Sequence, residues 1–211
     1  MGALMVHDSE TSHDLVKRAR QGDREALNVV FDESRDRLRR MIQFRLDRRL
    51  QGRIDASDVL QEAFLDAARR IDTGDVNPDI PLFLWLRLVV GEKLLELHRH
   101  HLATEKRNAA RELSLYSGPL PAVSSAALAA NLVGRMTSPS QAAERAERVL
   151  KLQEALNAMD DIDREVLALR HFEHLSNAET ARTLDIDESA ASNRYVRALK
   201  RLRKVLSDTD V

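Results

Sequence analysis

Residues Asn177 to Arg203, NAETARTLDIDESAASNRYVRALKRLR, carry the reading from which the rest of the chain follows. Their periodicity predicts a short helix over Ser176 to Leu184, a turn at Leu184-Asp185-Ile186-Asp187, and a longer helix over Glu188 to Leu206. Asp187 stands where a side-chain cap of the second helix belongs. Two helices joined by so short a turn make a helix-turn-helix. At helical spacing, Ala191, Tyr195, Ala198, Leu199, Leu202 and Leu206 gather on one face, suited to packing on the helices before it. The opposite face carries Ser189, Asn193, Arg197, Lys200 and Lys204, with Ser192 on one flank and Arg194 and Arg201 on the other. Amide and guanidinium groups near a helix N-terminus reach base edges in the major groove, while Lys and Arg further along suit phosphates. A solvated basic face on an ordinary surface helix would explain the charge, but not its coincidence with the turn.

Composition narrows the class. A chain of 211 residues with 32% charged side chains and few glycines, prolines and aromatics is expected to be all-α, as two small helical domains joined by a flexible linker. Without cysteine it has no disulfide framework, thiolate metal site or cysteine nucleophile. No apolar run is long enough to span a bilayer, and MGALMVHDSETSH lacks the regions of a signal peptide, so no membrane insertion and a cytoplasmic location are expected. The formal net charge of −1 is low for a protein that holds DNA unaided. Its basic surface must be local, or a partner must supply the remaining grip.

Along the chain, the first domain is expected over residues 12–107. Its helices run from His13 to Arg20, then from a cap at Asp23 through Leu27, Phe31, Leu38, Met41 and Leu46 towards Gly52, then from Ala56 to Ile71 behind Asp55, and from Pro81 to about His101. A loop rich in turn formers, Asp72 to Asp79, precedes the last of these. Residues 108–140 shift to Ala, Ser, Gly and Pro and read as a linker with room for one short helix. The second domain, residues 141–207, has Leu150, Leu152, Leu156, Val166, Leu167, Leu169 and Phe172 as expected core.

The Ala56 to Ile71 helix carries a second clue. Val59, Leu60, Ala63, Phe64, Ala67 and Ile71 account for its burial, yet Leu65 lies on the other side with Asp58, Gln61, Glu62 and Arg69. A large aliphatic side chain ringed by acids suits a protein-docking surface, although single exposed leucines are common.

Three segments, DASDVLQEAFLDAARR (Asp55 to Arg70), FLWLRLVVGEKLLELHRHH (Phe83 to His101) and Leu152 to Arg203, resemble in order and spacing regions 2 and 4 of bacterial RNA polymerase sigma factors of the sigma-70 family, extracytoplasmic-function (ECF) class. The resemblance implies a polymerase subunit that confers promoter specificity and opens DNA, with the polymerase core supplying most of the non-specific grip. It implies docking of Asp55, Asp58, Gln61, Glu62 and Leu65 on the beta-prime clamp, contact of region 4 with the beta flap, reading of the −35 element by the basic helix, and control by an anti-sigma factor or other regulator. The loop from Ile71 to Ile80 resembles the one that captures a flipped base of the −10 element, which makes Asp75, Asn77, Trp85, Lys93, Arg99 and Arg107 the candidates on that side.

Departures from the family pattern qualify these expectations. Glu92 stands seven residues after the tryptophan, where many relatives carry Asn, and Glu96 follows a turn later; two acids there are expected to repel DNA, leaving backbone contact to Lys93, Arg99, Lys106 and Arg107. Ser192 and Asn193 stand where relatives often have Lys and Ser, so the −35 preference does not transfer. Trp85, set among apolar residues, reads as a core residue rather than a melting wedge, although it stands with the −10 candidates. His98, His100 and His101 are expected to extend the basic helix end, and with no carboxylate pattern beside them no metal site, cofactor or catalytic constellation is expected. The competing classes are a conventional helix-turn-helix regulator with an N-terminal helical module, and a helical adaptor whose basic helix is incidental.

Overall fold

The computed structural model describes residues 5–47, 49–102, 120–134 and 142–207, and the fold is all-α. Four helices build the first half: α1 (Met5–Arg20), α2 (Arg24–Arg45), α3 (Ala56–Asp72) and α4 (Leu82–Leu102). Asp23 starts α2 by accepting from the Glu25 and Ala26 backbone N–H groups, and Asp55 starts α3 by accepting from Ser57, so the two caps seen in the sequence form. The second helix stops at Arg45, before the expected end at Gly52, because Leu46 turns extended and its N–H closes on the Ile42 carbonyl. Leu27, Phe31, Leu38, Met41, Ile42, Leu60, Ala63, Trp85, Leu86 and Val90 form the core of this half, with Phe31 and Phe64 packed edge to face at 5.1 Å.

The second half comprises α5 (Ser125–Gly134), α6 (Ala142–Asn157), α7 (Asp161–Leu167) continuing into a π-helical turn (Ala168–Phe172), α8 (Asn177–Leu184) and α9 (Glu188–Ser207). Helix α5 falls inside the stretch read as a linker and packs on α6, so the second packed unit begins before residue 141. The chain leading into α5 is bound too. Leu120 is 1% exposed and joins the first half's core over Gly91, and the Ser124 N–H donates to the Phe44 carbonyl. Leu152, Leu156, Val166, Leu167, Leu169 and Phe172 are buried as expected, but Leu150 is 59% exposed, since α6 turns its 152/156 edge inward and leaves 150 outside.

The halves are docked on each other. Phe44 of α2 enters the core of the second half and lies 4.8 Å from Phe172, while Leu84 of α4 packs with Val166, Leu169, Leu175 and Leu184. Between these apolar contacts sit four buried charges. The Arg45 Nε and Nη2 donate to Glu173 Oε1 at 2.9 and 2.7 Å, Nη2 also donates to Glu165, and Arg87 Nε donates to Glu173 Oε2 at 2.9 Å. Burial works to raise the Glu173 carboxyl, but the two guanidinium groups outweigh it and hold it down at about 2.

Candidate nucleic-acid and polymerase interface

The helix-turn-helix follows the sequence closely. Ser176 and Glu179 form a reciprocal capping box at the start of α8, with Ser176 Oγ accepting from the Glu179 N–H and Glu179 Oε2 accepting from the Ser176 N–H. Asp185 turns the chain in the left-handed region at φ 53°, which Asp tolerates better than most residues, and the Ile186 N–H closes on the Ala181 carbonyl. The Asn177 amide donates to the Glu188 carbonyl at 2.8 Å and fixes α8 against the start of α9.

Helix α9 buries Ala191, Ala198 and Leu202 and half-buries Tyr195 and Leu206. Leu199 is not covered as expected, because it lies at the edge of the buried stripe and is 36% exposed. Ser189, Ser192, Asn193, Lys200, Arg201 and Lys204 are exposed, and Val196, absent from the expected set, lies among them. The arginines behave differently. Asp163, buried near the start of α7, accepts from Arg197 Nε and Nη2 at 2.7 and 2.8 Å and from Arg194 Nη1 at 2.7 Å. Burial works to raise the Asp163 carboxyl, yet Arg197 and Arg194 bring it below its ordinary value. Arg197 thus folds back from the exposed face, and two of its nitrogens are committed to protein. Only the Nε edge of the guanidinium is used in this way and the side chain stays 59% exposed, so the edge formed by Nη1 and Nη2 is left for a base or a phosphate.

On α3, Leu65 is 57% exposed, with Asp58, Gln61 and Glu62 exposed beside it, so the acid-ringed leucine is a surface feature. Asp55 shares that end but uses an oxygen at 2.7 Å to cap Ser57. Glu62 is paired with Lys93 at 3.0 Å.

Several expectations for the −10 side change. Trp85 is 5% exposed in the core of the first half, so it cannot act as a wedge. Lys93 is held between Glu96 and Glu62 and has little left for a phosphate, while Glu92 is neutralised by Arg70 at 2.5 Å; the two acids expected to repel DNA are therefore both paired. His98 does not extend the basic end, since it is half-buried and its Nε2 accepts from the Asp47 N–H at 3.2 Å, and burial lowers its basicity. Arg99, Asp75 and Asn77 are exposed, with Asn77 Oδ1 bracing the loop by accepting from the Asp79 N–H. Lys106 and Arg107 lie outside the described residues. Among the described residues no group of three or more His, Cys, Asp or Glu could hold a metal ion, and no described helix is long and apolar enough to cross a membrane.

Residues missed by the sequence reading are Asp163 and the arginines at the junction of the halves. Arg87 left a trace, as the lone charge in LFLWLRLVV, whereas Asp163 among DDIDRE left none.

Residues 150–202 match the family described as Sigma-70, region 4. The ECF RNA polymerase sigma factor BldN of Streptomyces coelicolor is 28% identical over 201 residues, covering 95% of this chain and 68% of that protein. The ECF RNA polymerase sigma factor SigW of Bacillus subtilis is 24% identical over 197 residues, covering 92% of this chain and 95% of that protein. In fold, the chain is similar to CnrH, solved in complex with the cytosolic domain of CnrY, with a TM-score of 0.52 and 20% identity over 92% of this chain and 96% of that one. Region 4 is thus matched on the helix-turn-helix and two ECF sigma factors align across both halves, and together these matches support a sigma factor of the sigma-70 family, ECF class.

Proposed function

We propose that this sigma factor recruits RNA polymerase core to promoters through a division of labour between its halves. Residues 12–107, region 2, dock on the beta-prime clamp through Asp58, Gln61, Glu62 and Leu65 of α3 and hold the opened −10 strand at the loop before α4. Region 4 meets the beta flap and places α9 in the major groove at the −35 element. The observation that carries this reading is the coexistence, on one chain, of an exposed leucine ringed by acids in one half and a basic helix-turn-helix face in the other. The near-neutral chain fits the same reading, because polymerase supplies the phosphate contacts that it lacks. An anti-sigma factor or similar protein is the expected regulator.

The test is core binding. Leu65→Ala with Glu62→Lys should abolish capture of the protein by purified core polymerase while leaving helicity and melting temperature nearly unchanged, because both side chains lie outside the core. Retained core binding by the variant would place the docking face elsewhere, whereas no core binding by the unaltered protein, with sequence-specific promoter binding by the free protein at the strength of the holoenzyme, would make it a conventional helix-turn-helix regulator.

A further inference from the structure

At the junction of the halves, region 2 presents Arg37, Arg45 and Arg87, and region 4 meets them with Glu179, Glu165 and Glu173. Arg37 Nη2 donates to Glu179 at 3.0 and 3.1 Å while its guanidinium stacks 3.6 Å over the Phe83 ring. Guanidinium groups interleaved with an aromatic face are the chemistry that grips a single nucleic-acid strand, the arginines taking phosphates and the ring taking a base. Carboxylate and phosphate oxygens are interchangeable to an arginine fork. The glutamates do not saturate these forks. Arg87 Nη2 and Arg37 Nε are buried without a hydrogen-bond partner, and Arg87 Nη2 stands 4.0 Å from Glu165.

The location matters as much as the chemistry. Ile80, at the end of the candidate base-capture loop, and Phe83 and Leu84, at the start of α4, pack against the region 4 cluster of Val166, Leu169 and Leu175. Region 4 thus covers the side of region 2 next to that loop. A compact chain of this length has a radius of gyration of about 17 Å. The −10 and −35 elements lie about 25 base pairs apart, roughly 85 Å at 3.4 Å per step. The docked halves cannot reach both elements, so engagement of a promoter requires them to part, and parting takes the glutamates off the three arginines, of which Arg45 keeps the bond from Nη1 to the Pro121 carbonyl at 2.9 Å.

We infer that Arg37, Arg45 and Arg87, with Phe83, form a binding surface for the backbone of single-stranded DNA, and that Glu165, Glu173 and Glu179 of region 4 occupy it in the free protein as an internal competitor. This rests on the sigma-factor reading of both halves. It makes the closed form self-inhibited: strand binding and release of region 4 are the same exchange of carboxylates for phosphates.

The test uses the full chain without polymerase, so its failure is separable from failure of clamp docking. The probe is fluorescein-labelled oligothymidylate, with binding read by anisotropy at two salt concentrations and compactness read by X-ray scattering. Glu173→Gln with Glu179→Gln should extend the protein and raise its affinity for the oligonucleotide about tenfold or more, since apparent affinity scales with the open fraction. The salt slope should steepen by about two, the value for three phosphate contacts on a single strand. Adding Arg37→Gln and Arg87→Gln should cancel the gain in a protein that scattering still shows to be extended. An extended double variant that binds no better refutes the DNA surface, a gain that survives loss of the arginines places binding elsewhere, and a double variant that stays compact refutes the glutamates' hold on region 4. Should the double variant fold poorly, Glu179→Gln alone keeps the capping box and must still raise affinity; no rise refutes the inference.

Discussion

Glu173→Gln removes one charge and almost no volume, and it isolates the energetics of the docked halves. The Glu173 side chain is 1% exposed and accepts from both Arg45 and Arg87, whose side chains are 0% and 2% exposed. The substitution leaves two buried guanidinium groups facing only Glu165. Removing one partner of a buried ion pair typically costs about 3–5 kcal/mol, because the remaining charge is desolvated and uncompensated. The titration of Glu173 gives a second route to the magnitude. A carboxyl held at about 2 in the folded protein, against 4.5 as its ordinary value, contributes roughly 3 kcal/mol at neutral pH. The two routes agree at about 3 kcal/mol, a large share of the stability of a domain. The chain has an escape from a larger cost, since the halves can part and return the arginines to water. Urea unfolding followed by circular dichroism should therefore show a loss of about 3 kcal/mol at pH 7, with the single wild-type transition broadening or splitting as the halves uncouple. The sign of the pH dependence is fixed. Because the folded value is depressed, the contribution is fully present above the unfolded value of 4.5 and is lost as pH falls towards about 2. Wild type and variant should converge on acidification. A loss below about 1 kcal/mol at pH 7, or a gap at pH 2.5 undiminished from its size at pH 7, would refute the reasoning. Arg87→Gln in the same background should restore part of the loss, since it removes one of the unpaired charges.

Three further outcomes are expected. Gly91→Ala would ordinarily favour a helix by roughly 0.5–1 kcal/mol, but here the new methyl would lie 1.7 Å from Leu120 Cδ2, so thermal melting should show a net loss of about 1–3 kcal/mol as Leu120 is displaced; a rise in melting temperature would show that the segment before α5 is not seated there. Asp163→Asn should release Arg197 and add one positive charge to the α9 face, raising non-specific duplex affinity and steepening its salt slope by about one. Asn193→Ala should cost about 1–3 kcal/mol and relax one base pair, whereas Lys200→Ala should weaken all −35 sequences alike; uniform weakening in Asn193→Ala would refute its base contact. His98 is held below its ordinary basicity by burial and accepts from the Asp47 N–H, so its share of stability is present above about pH 6.5 and lost as pH falls below it; His98→Gln should flatten the melting temperature between pH 7.5 and 5.5, and an unchanged slope would assign the dependence to another group.

What the sequence determined by itself is local. The caps at Asp23 and Asp55, the turn at Asp185 and the exposure of Leu65 all depend on residues within a few positions of one another, and each formed where the spacing placed it, whereas Leu150 and Leu199 left the faces that periodicity gave them. The sigma-70 resemblance rested on the same short segments. The tertiary structure decided the partners of the long side chains that meet across elements. Lys93 and Glu92 read as free charges and are paired across α3 and α4, and Trp85 is sealed in the core. Arg197 lies on the outward face by angle, yet its flexible stem carries the guanidinium back to Asp163, 34 residues away in sequence. The junction of the halves was the least legible feature. Arg45 meets Glu173 across 128 residues, and a charge in an apolar run announces that it needs a counter-charge without saying which one. Periodicity fixes the direction in which a side chain leaves its helix, whereas burial and pairing depend on what the folded chain brings to meet it.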